Sequence, residues 1–140
     1  MIDPKTGTIG FAPELTISPT LTRENFLSSP LGTRATVLVQ NEPHCSFALP
    51  KMIFNGHAFV GNLCFTSSRL FRVSIASVDE RFGTSWSDWS EGREMERKTF
   101  HDSLLQSALG PGWSGRPFPW GVVESLYDPK SGSSSIIVTY

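Results

Sequence analysis

The sequence predicts an α+β domain: a curved antiparallel sheet of about six or seven strands, packed by one long α-helix, with one short helix near the N-terminus. Three observations carry this. His57–Phe65 reads as a long strand with two faces, and apolar Phe71, Val73 and Ile75 alternate with Arg72, Ser74 and Ala76, the pattern of a half-buried antiparallel strand. Asn55-Gly56 and Asp128-Pro129-Lys130-Ser131-Gly132 are turn signals set between β-like runs. A segment near residues 88–109 instead has helical spacing and stops at Gly110-Pro111-Gly112.

The elements follow in chain order. Thr6–Ser18 holds short β-like runs broken by Pro13, read as two small strands or one bulged strand. Thr22 is a good N-cap for a helix of about two turns that Pro30 ends. Ala35–Gln40 is rich in β-branched residues and closes at Asn41-Glu42-Pro43, a turn; Ser46–Leu49 is a short strand stopped by Pro50. After Asn55-Gly56 a long strand puts His57, Phe59, Gly61, Leu63 and Phe65 on one face. In the next strand Phe71, Val73 and Ile75 alternate with Arg72, Ser74 and Ala76.

The helix is expected over Asp88–Leu109, with Ser87 as its N-cap. At 3.6 residues per turn, Trp89, Phe100, Leu104 and Ala108 form its main apolar stripe, while Glu91, Lys98 and Asp102 point away. Acidic Asp88 and Glu91 suit the positive end of the helix dipole. The C-terminal residues read as a hairpin. Asp3-Pro4-Lys5-Thr6-Gly7 nearly repeats its turn, but no longer repeat surrounds either copy.

Length and composition bound the function. One hundred and forty residues form one domain, 1–140, able to bury a core without a metal or disulfide staple. A net charge of −1 gives no electrostatic footprint for nucleic acid. No run of eighteen apolar residues predicts a membrane span, and "MIDPKTGTIGF" lacks the pattern of a signal peptide. A cytoplasmic protein with reduced Cys45 and Cys64 in or near the core is expected.

Several constellations supply reactive atoms. His44, Cys45, His57 and Cys64 are zinc-ligand types, but neighbours on a strand point to opposite faces, so no metal site and no cofactor is expected. The same geometry argues against a Cys–His nucleophile among the nearest pairs. His101 shares a helix flank with Arg97 and Glu94, and a buried Glu–His flank can do acid–base work; a charged border beside the apolar stripe is the simpler reading. Gly110–Gly115 follows a helix instead of opening one, so it offers no phosphate cradle. The tryptophans Trp86, Trp89, Trp113 and Trp120 cluster at both ends of the long helix. They are plugs of a small core, exposed anchors for a partner or, though basic residues to support it are lacking, a platform for a carbohydrate or nucleobase.

The order of the pieces resembles small bacterial immunity proteins of polymorphic toxin systems. The residues that carry the resemblance are "TGTI", "LTRENFLSS" (Leu21–Ser29), "NGHAFVGNLCFTSSRLFRVSIA", "SWSDWSEGREMERKTFHDSLL" and "FPWGVVESLYDPKSGSSSIIVTY". The resemblance implies a cytosolic protein without chemistry of its own, which binds and blocks a cognate toxin domain. The chain lacks the strong acidity used against basic nucleases, which leaves the toxin class open. The expected contacts are Trp86, Trp89, Glu91, Glu94, Trp113 and Trp120. The alternatives are a small enzyme using Glu94 and His101, or an accessory domain forming a homo-oligomer.

Overall fold

A computed structural model describes residues 1–12 and 15–140; Pro13, expected to break the first β run, lies outside the described residues. Nine strands and three α-helices follow in the order β1 (Ile9–Ala12), β2 (Leu15–Ile17), α1 (Arg23–Ser28), α2 (Pro30–Thr33), β3 (Thr36–Asn41), β4 (His44–Ala48), β5 (Met52–Phe54), β6 (His57–Thr66), β7 (Arg69–Ser77), α3 (Glu91–Leu109), β8 (Val122–Asp128) and β9 (Ser133–Thr139). β1 and β2 pair as a small ribbon. The other seven strands form one antiparallel sheet in the order β3-β4-β6-β7-β9-β8, with β5 on the remaining part of β6. The α+β architecture read from the sequence is therefore the architecture of the chain.

Local chemistry explains the element ends. The Thr22 hydroxyl accepts the Asn25 N–H at 3.1 Å and caps α1, as expected. Pro30 ends α1 but also opens α2, where its fixed φ suits the first helical position and Ser29 caps Gly32. Asn55 (φ 49°) and Gly56 (φ 76°) take the two left-handed positions of the β5–β6 hairpin turn.

One face of the sheet is buried. Phe59, Leu63, Phe65, Val73, Ile75, Val123, Ile136 and Val138 point into a single core. α3 covers it above β7, β8 and β9 with Leu105 and Leu109. Ile9, Ile17, Phe26 and Leu31 cover the rest, and the rings of Phe26, Phe47 and Phe65 lie 5.5–6.0 Å apart. The other face keeps Val60, Asn62, Arg72, Val122 and Glu124 exposed.

Two expectations need correction. Phe71 does not share the buried face with Val73 and Ile75. Cys64 pairs with Arg72 but Phe65 pairs with Leu70, so Phe71 is an extra residue in a β-bulge and Leu70 takes the buried place. The long helix also starts later and is rotated. Ser90, not Ser87, is the N-cap, accepting the Arg93 N–H at 3.1 Å. Trp86–Asp88 is a separate 3₁₀ turn, so Trp89 lies outside the helix. Without Trp89 as reference, the innermost stripe is Glu94, His101, Leu105 and Leu109; Phe100, Leu104 and Ala108 pack along its half-buried flank. Glu94 and His101 sit on the inner stripe where Ser134 and Ser77 of the sheet each donate an N–H to them.

Candidate functional site

A groove of about 550 Å³ lies where the 3₁₀ segment, the start of α3 and the β8–β9 turn meet. Its rim is built from a serine-rich stretch tied down by Asp88. That carboxylate accepts N–H groups from Ser85 at 2.9 Å and Thr84 at 3.1 Å, which hold it below the usual aspartate range. Arg93 then donates to the Asp88 carbonyl at 3.0 Å, locking the turn to the first turn of α3. The result projects Trp86, 77% exposed, and Trp89, 40% exposed, with ring centroids 6.4 Å apart.

Trp89 is anchored on its other side. Its Nε1 donates to the Gly132 carbonyl at 2.7 Å, and a Cβ on Gly132 would sit 3.3 Å from the indole. Gly132 also has φ 66°, so the glycine serves both the turn and the ring's close approach. Trp86 has no such tether among the described residues and is the more exposed part of the rim.

The floor is polar and partly compensated. Glu94 is 2% exposed; it pairs with Arg97 and its Oε2 accepts the Ser134 N–H at 3.0 Å. Arg97 donates to the Phe82 carbonyl at 3.2 Å, while its Nε is buried without a partner among the described residues. His101, a turn further along, is fully buried and accepts the Ser77 N–H on Nε2 at 3.0 Å. The proton therefore sits on Nδ1, which is buried without a partner among the described residues. Burial first, then the positive charge of Arg97, lowers its pKa to about 4. Glu94 and His101 thus spend their hydrogen bonds on different strands and do not form an acid–base pair with each other.

The structure brings together only part of the expected contact set. Trp86, Trp89 and Glu94 line one groove. Glu91 is exposed on the adjoining first turn of α3. Trp113 is buried in the core. Trp120 is half-buried: it stacks on Phe118 with centroids 4.9 Å apart and donates to the Pro4 carbonyl at 3.0 Å. These two close the far end of the core and are not rim residues.

A second cluster escaped sequence reasoning. His57 Nδ1 lies 2.7 Å from Asp79 Oδ2, and Asp79 Oδ1 accepts the Ala58 N–H at 2.8 Å. Burial acts to raise the Asp79 carboxyl; these hydrogen bonds and the charges of His57 and Arg81 outweigh it and leave the pKa lowered. Arg81 lies 4.5 Å and 4.6 Å from the Phe82 and Phe100 ring centroids, and the His57 ring is 4.8 Å from Phe100. The signal was hidden in the register. The Phe71 bulge shifts β7 by one residue, so Phe59 faces Ser77 and, two residues out, His57 meets Asp79.

The zinc-ligand types are dispersed. Cys45 is buried on the inner face beside Arg23, whose Nη1 lies 3.1 Å from Sγ, whereas Cys64 belongs to the opposite face. Among the described residues no three His, Cys, Asp or Glu side chains converge on a common point, and no helix is long and apolar enough to cross a membrane. Compared with known proteins, the chain matches no family model, no curated protein and no solved structure.

Proposed function

We propose that this chain is a protein-binding factor without catalysis of its own, an immunity protein that neutralises a cognate bacterial toxin in the cytoplasm. The supporting observation is the Trp86–Trp89 rim. Two large aromatic rings stand out at the mouth of a groove, on a backbone fixed by Asp88, Arg93 and Gly132. Exposed tryptophans are frequent anchors of protein interfaces, and Trp89 is already held by its bond to Gly132, so little of its side-chain freedom is lost when it is covered. Glu91 on the adjoining helical turn supplies a charged rim, and the ion-paired Glu94–Arg97 floor balances charge against charge.

Co-expression tests this reading. The chain is produced with the toxin domain encoded by the reading frame directly upstream of its own, and the mixture is resolved by size-exclusion chromatography. A stable complex is expected, with affinity at least tenfold weaker for Trp86→Ala, the loss of ~1.4 kcal/mol that marks an interface anchor. The absence of a complex, or one indifferent to both Trp86→Ala and Trp89→Ala, overturns the assignment.

A further inference from the structure

The outer edge of β3 is a feature the groove does not explain. Among the described residues β3 pairs only with β4, and the backbone groups along its other side have no strand partner there. All six of its residues are exposed, including Val37 at 52%, Leu38 at 51% and Val39 at 48%. Natural sheet edges are blunted by charge, proline, a β-bulge or a covering element. Thr36–Asn41 contains neither a charged residue nor a proline. β8, at the opposite edge, carries Glu124 and Asp128 and lies under α3. β3 does have a bulge, but its extra residue is Leu38, which adds a third exposed apolar side chain.

We propose that β3 is a dimerisation edge: two copies of this chain pair β3 with β3, antiparallel about a two-fold axis, and join their sheets into one. Charge favours a second copy as the occupant. Arg34 stands just before β3 and Glu42 just after it. Antiparallel pairing brings the Arg34 end of one copy to the Glu42 end of the other, and symmetry repeats the contact. Arg34 has no ion-pair partner among the described residues of its own chain. Glu42 uses Oε1 for Arg23 and keeps its side chain 66% exposed, leaving Oε2 to receive a second cation. Parallel pairing would instead set like ends together. A six-residue seam is smaller than the roughly 800 Å² per partner of a standard stable interface, so the dimer is in exchange with the monomer. The groove lies beside the β8–β9 turn at the other side of the sheet, so both grooves of the dimer stay open.

Sedimentation equilibrium of the chain from about 1 μM to 1 mM tests the pairing, because that span covers the affinities a small interface reaches. The mass is expected to rise from 15.4 kDa toward twice that value. Arg34→Glu and Glu42→Arg each set like charges against each other twice and should each stay monomeric, while an equimolar mixture of the two restores the heavier species. Val39→Lys, with circular dichroism to check the fold, should also be monomeric. A wild-type chain that remains at 15.4 kDa throughout overturns the proposal. So does a dimer that survives all three substitutions, or a failure of the mixed charge variants to associate.

Discussion

Glu94 on α3 and Ser134 on β9 are joined twice. The Ser134 N–H donates to the Glu94 side-chain Oε2 at 3.0 Å, and the Ser134 hydroxyl donates to the Glu94 backbone carbonyl at 2.9 Å. Apolar packing alone lets a helix slide or roll on a sheet, whereas a paired contact of this kind fixes both its rotation and its axial position. It accounts for the rotated stripe: α3 turns Glu94 inward because β9 has a donor waiting there.

Glu94→Ala should therefore be severe. It strands the Arg97 guanidinium and the Ser134 N–H in a buried site, and breaking a buried ion pair from one side costs about 3–5 kcal/mol. Urea unfolding is expected to show a loss of that size. Glu94→Gln, which keeps an acceptor for Ser134, should lose less.

The state of His101 makes stability depend on pH. Its folded pKa of about 4 lies below its ordinary value of 6.5, so the unfolded chain takes up the proton first as pH falls. The neutral-histidine contribution is complete above pH 6.5 and is lost progressively down to about pH 4, where the folded form also protonates. The pKa gap amounts to a loss on the order of 3 kcal/mol. His101→Gln should flatten the unfolding free energy measured across this window.

Phe26 is fully buried between the α1–α2 corner and the sheet, against Phe47 and Phe65. Phe26→Ala should cost about 3–5 kcal/mol by opening a cavity that rigid strands cannot fill. A thermal melt would show it directly, and Phe26→Leu should recover more than half.

The alternation in His57–Thr66, the Asn55-Gly56 turn and the Thr22 cap were legible because each depends on neighbours in the chain. The misreadings come from longer-range facts. Phe71 looks like a core residue by period, but a bulge is a property of two strands and leaves no mark on one. Ser87 and Ser90 are equally good caps in isolation; the choice falls to Ser90 because Asp88 binds Ser85 and Thr84 and holds the preceding turn out of the helix. Trp113 and Trp86 are alike as letters, and only the closed core distinguishes the plug from the rim. Glu94 and His101 were visible as a flank, but their burial depends on the donors of Ser134 and Ser77 across the fold.

The two rim tryptophans should separate on substitution. Trp86→Ala removes an exposed ring that makes no hydrogen bond among the described residues and is expected to change stability by less than about 0.5 kcal/mol. Trp89→Ala loses the bond to Gly132 and should cost about 1–2 kcal/mol. Chemical denaturation of both variants checks this. A large effect of Trp86→Ala would mean that the ring supports the fold and is not free for a partner.

The seam between β7 and β9 joins residues 61 to 67 positions apart, from Ile75 with Ile136 to Arg72 with Thr139, while the other main-sheet pairings are far more local. Closing so large a loop is the entropically hard part of assembling this chain, and such seams slow the kinetics. α3 lies inside that loop. Nineteen residues wound at 1.5 Å each span about 28 Å, so the helix turns a floppy tether into a short strut. Weakening α3 should therefore slow refolding, because the C-terminal hairpin must then find its place by a longer search.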